Sequence, residues 1–261
     1  MRLFSALILA FMSGSSLSVC AQFHPGDVGF DTGSTDAFKK NNIKTQIITI
    51  TIPNNEPMIY ATQTYDANGR LLNIQFSEDV FGEEAEGIVI YRYAYYPDGR
   101  LKSSTIEGVE AFPAETTYYY DASGKLTADS TTSAYPSVDT YTYDAQGMIK
   151  TRLGWEENTD FSVDMDPSER FEPIDHSLFF WNANRQLQKE ILYYDGDFYH
   201  SISYTYDTEG HLLTLSKYYT EDKQDPDVYM QFMYNEKGLL SSYTSTSEYG
   251  TDIYSVQYTT K

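Results

Sequence analysis

The residues best suited to chemistry lie in one acidic segment, residues 154–172, which reads GWEENTDFSVDMDPSERFE. Aromatic rings beside carboxylates suit sugars, because a ring covers the apolar face of a sugar and the acids accept hydrogen bonds from its hydroxyls. Long insertions on a repeat scaffold are also where binding sites tend to lie. The candidate ligand-binding residues are therefore Trp155, Glu156, Glu157, Phe161, Asp164 and Asp166.

Two other interpretations of this segment stay open. A carbohydrate hydrolase would pair Glu156 or Glu157 with Asp164 or Asp166, and it needs two carboxyl groups roughly 5–9.5 Å apart in a cleft. A solvated acidic loop needs no ligand at all. Calcium is disfavoured, because the acid spacing lacks the central glycine and the closing glutamate of an EF-hand loop.

No other motif predicts catalysis, a metal or a cofactor. FDTGST at residues 30–35 is similar to the active-site loop of pepsin-like aspartic proteases, but that chemistry needs two such loops and the chain has one. The four histidines (His24, His176, His200 and His211) lack zinc-ligand spacing, and His211 takes an exposed strand position that is Arg or Lys in related copies. No Gly-x-Ser-x-Gly elbow occurs in the body of the chain.

The first 21 residues predict export. A positive start and the apolar run LFSALILAFM precede a small-residue tail that ends at Ala21. Ten apolar residues are too few to span a bilayer, so a signal peptide is favoured over an anchor. The only cysteine, Cys20, lies in this tail, and its acylation as a lipoprotein is the alternative to cleavage after Ala21.

The net charge of the chain restricts the classes of molecule that it could bind. The chain has 18 Lys and Arg against 38 Asp and Glu, a net charge of −20. Such a surface repels phosphate backbones and anionic headgroups, so nucleic acid is not an expected partner.

The rest of the chain repeats one turn motif seven times, first as TYDANGRLL at residues 64–72. Asp or Asn at the first turn position accepts backbone N–H groups, and Gly at the fourth supplies a positive φ. The pattern predicts a type I turn with a glycine bulge, a common hairpin connection. The Asp and Gly residues at these two turn positions are Asp66, Gly69, Gly99, Asp121, Gly124, Asp144, Gly147, Asp207, Gly210 and Gly238. Arg185 occupies the glycine position in a degenerate copy.

This turn also predicts which residues face each other across each hairpin. An aromatic residue before the turn should meet a branched aliphatic after it, on the buried face of the sheet. The seven pairs are Tyr65/Leu71, Tyr95/Leu101, Tyr120/Leu126, Tyr143/Ile149, Trp181/Leu187, Tyr206/Leu212 and Tyr234/Leu240. Tyrosines outside this register are expected to be freer for exposure: Tyr119, Tyr135, Tyr194, Tyr199, Tyr219 and Tyr249.

The positions between these pairs are mostly threonine and charged residues, which indicates antiparallel strands with one buried face. We expect an all-β fold, an antiparallel meander of about sixteen strands curled into an open shell, a barrel or a solenoid sheet. Helix is not expected in the body. The predicted organisation is a signal peptide (1–21), a flexible linker (22–41) and a single repeat domain (42–261). A membrane barrel is disfavoured because both strand faces are too polar for a lipid-facing band.

The pattern Tyr-x-Tyr-Asp-x-x-Gly-Arg-Leu resembles the YD repeat of Rhs and teneurin-type proteins, over roughly residues 59–261. MORN-like hairpin repeats are a second resemblance. The YD resemblance implies hairpin sheets that wrap into shells, a cell-surface location and, in some members, carbohydrate binding. Seven copies are too few to enclose a cargo domain, and the Asp-Pro-x-Gly-x-x-Gly self-cleavage motif of cargo-bearing members is missing.

Together these observations predict a non-enzymatic repeat protein that is exported to the periplasm, cell surface or medium. It would bind a glycan or an envelope protein, or act as a structural element. The alternatives are the hydrolase above and a partner or immunity protein for a surface toxin.

Overall fold

The computed structural model describes residues 35–77, 88–108, 113–134, 136–157 and 170–260. The signal peptide, Cys20 and the FDTGST motif fall outside them except for Thr35, as do Phe161, Asp164 and Asp166. The elements are α1 (Thr35–Lys40), β1 (Ile43–Thr51), β2 (Met58–Tyr65), β3 (Leu71–Phe76), β4 (Ile90–Tyr95), β5 (Leu101–Glu107), β6 (Ala114–Tyr120), β7 (Leu126–Thr132), β8 (Ser137–Tyr143), β9 (Ile149–Glu157), β10 (Phe171–Trp181), β11 (Leu187–Tyr194), β12 (Asp197–Tyr206), β13 (Leu212–Tyr218), β14 (Val228–Tyr234), β15 (Leu240–Ser247) and β16 (Gly250–Thr260).

The sixteen strands form a closed antiparallel barrel. Each strand pairs with the next along the chain, and β1 pairs with β16 from Ile43↔Thr260 to Thr51↔Ile253, which closes the sheet. The predicted all-β meander is therefore confirmed, and of the three expected closures the chain adopts the barrel. Closure removes the exposed sheet edges that a meander would otherwise leave unpaired.

One end of the barrel, here called the turn rim, carries the seven tight hairpins. In the first hairpin the N–H of Gly69 donates to the carbonyl of Asp66 (3.3 Å), and the N–H of Asp66 donates to the carbonyl of Arg70 (2.9 Å). Gly69 has φ 79°, and Arg185 has φ 63° in the degenerate copy. The opposite end, the loop rim, carries the longer connections together with the short turns at Asp195-Gly196 and after Ser247.

All seven predicted cross-strand pairs are present in the barrel. Tyr65 faces Leu71, Trp181 faces Leu187, and the other five pairs follow the same register. A bulge lies just beyond each pair, so the next inward residue after the aliphatic comes three positions later, as with Leu71 and Ile74.

The turn-rim aromatics also join neighbouring hairpins, which the sequence did not reveal. The Tyr95 hydroxyl donates to the Leu71 carbonyl of the preceding hairpin (2.8 Å). Tyr120, Tyr143, Trp181, Tyr206, Tyr234 and Tyr258 repeat this bond around the barrel at 2.6–3.0 Å. Because each aromatic buries a ring and pairs its polar end, each one connects two hairpins.

At four of the turns, the residue after the glycine packs over the next aromatic ring: Arg70, Arg100, Lys125 and His211. Arg70 lies 4.8 Å from the centre of the Tyr95 ring, and Arg100 lies 4.7 Å from that of Tyr120. His211 stacks on Tyr234 at 4.6 Å and its Nδ1 lies 2.9 Å from Asp207 Oδ2. The expectation that His211 is an exposed strand start is therefore wrong, because the ring takes the place of these cations against an aromatic face.

The barrel interior is packed with side chains. Tyr118, Ile74, Leu240 and Tyr243 are each at most 1% exposed and belong to one continuous buried cluster. The short helix α1 adds Phe38, which is 1% exposed and stacks on Tyr65 at the turn rim with 4.5 Å between ring centres. The expected flexible linker 22–41 is therefore helical at residues 35–40, where α1 lies.

Candidate functional site

The three described candidate residues lie at the end of β9 and do not converge. Gly154 faces the interior, because a Cβ there would lie 2.4 Å from Asp175 Oδ1 and 3.0 Å from Asp139 Oδ1. Alternation along the strand then turns Trp155 and Glu157 outward and Glu156 inward. Glu157 accepts a hydrogen bond from Arg170 Nε at 2.9 Å. Neighbouring glutamates on opposite faces of a strand cannot act on one ligand.

The outward face of β9, β10 and β11 forms a groove at the loop rim. Its volume is about 480 Å³, and it is lined by Leu153, Pro173, Ile174, Asp175, His176, Leu178, Tyr193, Asp195 and Gly196. The His176 ring stacks on Tyr193 at 6.2 Å, and Phe198 meets Tyr193 edge-on at 6.2 Å. Trp155 pairs with Pro173 and stands beside the groove. Trp155 was a predicted site residue, whereas the lining residues of the groove were not predicted. Four of them, residues 173–176, are consecutive at a bulge of β10, which the repeat pattern does not contain.

On the interior side of the same strands lies a buried ionic cluster. Arg152, whose side chain is 5% exposed, donates from Nη1 to Asp139 Oδ2 (3.2 Å) and from Nη2 to Asp175 Oδ1 (2.9 Å). Its Nη2 also lies 3.2 Å from Ser177 Oγ. Next to them, the Tyr141 hydroxyl donates to Asp129 Oδ2 at 2.6 Å. Three acidic side chains, Asp129, Asp139 and Asp175, therefore lie close to one guanidinium.

Burial sets the pKa values in this cluster. Burial and the neighbouring charge of Asp139 raise the pKa of Asp129 to about 8. Burial raises the pKa of Asp139 to about 6, against the opposing effect of Arg152. A buried carboxyl takes up a proton more readily because its charged form loses hydration. These two groups therefore titrate near neutral pH.

The bulge after each cross-strand pair predicts which polar residues of this cluster face the interior. Counting three residues on from the paired aliphatic gives Asp129 after Leu126 and Arg152 after Ile149. Strict alternation from Ile149 would place Thr151 inside and Arg152 outside, and the bulge reverses this. A register without this bulge places Arg152 on the outer face and so does not predict the cluster.

Tyr194, Tyr199 and Tyr219 lie at the loop rim, whereas Tyr119 lies at the turn-rim end of β6. Of those expected to be freer, Tyr119, Tyr194, Tyr219 and Tyr249 are 49%, 43%, 42% and 58% exposed. Tyr199 is half-buried and lies 6.1 Å from Tyr194, and Tyr135 is outside the described residues. Beneath them is Lys217, whose Nζ lies 5.1 Å from the centre of the Tyr219 ring. Burial lowers the pKa of Lys217 to about 8.

Within the described ranges, no three His, Cys, Asp or Glu side chains are grouped as a metal site. No helix there has the length and apolar character needed to cross a bilayer.

The described chain is thus a sixteen-stranded meander barrel with a packed interior, and one solved structure shares its fold. It is similar to a porin-like protein from Bacteroides uniformis ATCC 8492, with 13% identity, 83% of this chain and 98% of that chain covered, and a TM-score of 0.51. At that identity the likeness shows a shared fold.

Two further solved structures show weaker similarity. A porin-like protein from Bacteroides vulgatus ATCC 8482 has 10% identity over 83% of this chain and 99% of that chain, with a TM-score of 0.30. The Photorhabdus luminescens Tc holotoxin pore, with a TccC3 mutation, has 16% identity over 77% of this chain and 12% of that chain, with a TM-score of 0.32. No family model matches the chain, and no curated protein matches it either.

Proposed function

We propose that this chain is an exported, non-enzymatic barrel protein that binds a glycan in the outward groove at the loop rim. The observation that carries the proposal is the groove's lining. The Tyr193 and His176 rings provide an apolar platform, and the exposed Asp195 supplies a carboxylate acceptor beside them. A sugar ring needs this combination of an apolar face and polar groups at its edge.

The packed interior favours binding over transport. The first solved structure above is called porin-like, and a porin needs an open aqueous lumen. In this chain inward residues such as Tyr118 and Tyr243 are 1% exposed, and they fill the barrel's centre. We therefore place the function of this barrel on its outer surface and loop rim.

The outward strand faces favour a barrel that stands in water. Outward threonines pair across strands, as with Thr142 and Thr151 at 2.5 Å between hydroxyl oxygens. Arg92 and Glu107 form an exposed ion pair at 3.3 Å. A membrane barrel needs a continuous apolar band at these positions. The export pattern of residues 1–21 then indicates the periplasm, cell surface or medium, with Cys20 as an alternative lipid anchor.

The test is a glycan array probed with the purified protein, followed by titration of the glycans it retains. Tyr193→Ala should weaken binding at least about tenfold, because the ring supplies the apolar face of the platform. Tyr119→Ala is the matched control, since Tyr119 is exposed on β6, away from the groove, and should bind like the wild type.

Two outcomes would overturn the proposal. One is that no glycan is retained, which would leave an envelope protein as the remaining partner class. The other is that Tyr193→Ala and Tyr119→Ala bind equally well, which would remove the groove as the binding site.

A further inference from the structure

Tyr194, Tyr199 and Tyr219 form an aromatic face at the loop rim, here called the mouth face. Tyr194 pairs with Asp175, whose carboxylate accepts a hydrogen bond from the interior Arg152, so Tyr194 and Asp175 lie on the inner side of the wall. The rings of Tyr194 and Tyr199 are centred 6.1 Å apart, and Tyr194 and Tyr219 are 43% and 42% exposed. Burial raises the pKa of Tyr219, and the nearby Tyr199 raises it further. None of the three tyrosines lines the outer groove, so the mouth face is a separate surface.

Acidic side chains surround the ring of Tyr194. Tyr194 lies directly between Asp175 of β10 and Asp197 of β12, and side chains paired in this way have Cβ atoms about 4.5–5.5 Å apart on one face of the sheet. Asp197 is exposed, and the side chain of Asp175 keeps 21% exposure despite its interior bond. Burial raises the pKa of Tyr194, and the charge of Glu156 on β9 raises it further. The ring is therefore exposed in a region of negative potential.

The turn rim shows that a tyrosine ring beside an aspartate holds a cation in this molecule. The Arg70 guanidinium lies 2.6 Å from Asp66 Oδ2 and 4.8 Å from the centre of the Tyr95 ring, and Arg100 repeats this arrangement at the next hairpin. No lysine or arginine of the described residues lies over the ring of Tyr194. The mouth face thus presents the same two groups, a ring and carboxylates, to a cation from outside the described chain.

The connections of the loop rim are far more acidic than those of the turn rim. The eight connections between strands at the loop rim contain 17 Asp and Glu against 2 Lys and Arg, whereas the seven at the turn rim contain 7 against 5. Most of the loop-rim acids come from three connections, residues 77–89, 158–170 and 219–227. One end of the barrel therefore attracts basic partners and turns them toward the mouth face.

We propose that the mouth face is the docking surface for a basic segment of a partner protein, with an arginine or lysine side chain held on the Tyr194 ring between Asp175 and Asp197. The ring supplies the cation–π contact and the two carboxylates pair with the charge. Arginine fits better than lysine, because its planar group stacks on a ring while its N–H groups donate to carboxylates. This interaction goes beyond the glycan groove and does not depend on it.

The test measures the fluorescence anisotropy of a labelled Gly-Ser peptide that contains four arginines, titrated with the purified protein. The same peptide with glutamine in place of each arginine is the ligand control. The arginine peptide should bind and the glutamine peptide should not. The affinity for the arginine peptide should fall at least about tenfold between roughly 20 and 200 mM NaCl, because salt screens exposed charges.

Two pairs of variants locate the bound peptide. Asp197→Lys reverses a charge beside Tyr194 and should weaken binding about five- to tenfold, whereas Glu236→Lys makes the same change at the turn rim and should alter it less than about twofold. Tyr194→Ala should weaken binding about two- to fivefold, and Tyr194→Phe, which keeps the ring, should bind like the wild type. Tyr193→Ala should also bind the peptide like the wild type, so this result is distinguishable from the outcome at the glycan groove.

Three outcomes would overturn the proposal. Equal binding of the two peptides, or binding of neither, would exclude recognition of basic side chains. Equal weakening by Asp197→Lys and Glu236→Lys would assign the binding to net charge instead of the mouth face. Salt-sensitive self-association of the protein in analytical ultracentrifugation, if lost in Asp197→Lys, would assign the mouth face to a second copy of this chain.

Discussion

Buried polar groups find their partners in different ways at the two ends of this barrel. At the turn rim, seven aromatic side chains donate a hydroxyl or an indole N–H to a backbone carbonyl, and the bond recurs around the barrel. The Tyr65 hydroxyl donates instead to the side chains of Gln46 and Gln63. Toward the loop rim, the interior contains charges, with Arg152 between Asp139 and Asp175. The repeated neutral bonds connect neighbouring hairpins, whereas the charges of the interior cluster occur once and are not part of the repeat.

The aspartates of the two regions show the same contrast. In the turn at Asp121, hydrogen bonds from the Ser123 hydroxyl and the Lys125 backbone N–H lower the carboxyl pKa. In the interior, burial raises the pKa of Asp129 and Asp139. At the turn rim, hydrogen-bond donors stabilise the charged carboxylate and lower its pKa. In the interior, loss of hydration destabilises the charged form and raises the pKa. One residue type therefore stabilises the two regions in different protonation states.

The largest expected effect comes from removing the interior cation. Arg152→Met leaves Asp139 and Asp175 buried without their partner and should lower the free energy of unfolding by about 3–5 kcal/mol. Arg170→Met is the matched control, because its pair with Glu157 is exposed, and it should cost about 0–1 kcal/mol. Urea unfolding measures both. Equal losses in the two variants would show that the interior charges are no more important than surface ones.

The second prediction concerns pH. Because the folded-state pKa values of Asp129 and Asp139 are raised to about 8 and about 6, the folded protein holds protons that the unfolded chain releases. These two groups therefore stabilise the fold fully below their ordinary value of 3.8, and the contribution is lost as pH rises toward 8.

Asp129→Asn keeps an acceptor for Tyr141 but cannot ionise. In this variant the loss of stability with pH should end near pH 6, whereas the wild type should keep losing stability up to about pH 8. Urea unfolding at a series of pH values compares them. The same slope in both proteins between pH 6 and 8 would contradict the assignment.

The comparison of the two ends also shows what sequence can predict. The turn rim was predictable because the residues of each hairpin determine its local structure. Asp66 and Gly69 define the turn, and the turn sets the register that pairs Tyr65 with Leu71. No long-range information is needed for those contacts. The same logic gave the number of strands and the all-β class.

The interior and the groove required information that no single hairpin contains. Arg152 lies 13 residues from Asp139 and 23 from Asp175, and only the bulged register brings all three inside. Barrel closure depends on the β1–β16 pairing of two distant strands. The acidic residues of 154–172 looked like one site in sequence, but alternation separates Glu156 from Trp155 and Glu157.

The third prediction tests the repeated bond of the turn rim. Tyr120→Phe removes the hydroxyl that donates to the Leu101 carbonyl at 2.8 Å, and it should cost about 1 kcal/mol of unfolding free energy. Tyr119→Phe, one residue earlier and exposed, loses only a bond with Ser130 at the surface and should cost about 0–0.5 kcal/mol. Chemical denaturation of both variants measures the difference. A loss in Tyr119→Phe as large as that in Tyr120→Phe would mean that the buried bond adds nothing.

The smallest expected effect comes from repairing the degenerate hairpin. Arg185 occupies the left-handed position with φ 63°, where the other six turns carry glycine. Arg185→Gly removes the Cβ strain of that conformation, so it should stabilise the protein by about 0.5–1 kcal/mol. The gain is limited because the Arg185 Nε contact with Met148 Sδ at 3.1 Å is lost and because glycine is more flexible in the unfolded chain. Gly124→Ala is the reverse control, since φ is 85° there, and it should destabilise the fold. If Arg185→Gly is instead destabilising in thermal and urea unfolding, its contact with the neighbouring hairpin outweighs the strain, and the turn rim depends on connections between hairpins more than on the turns themselves.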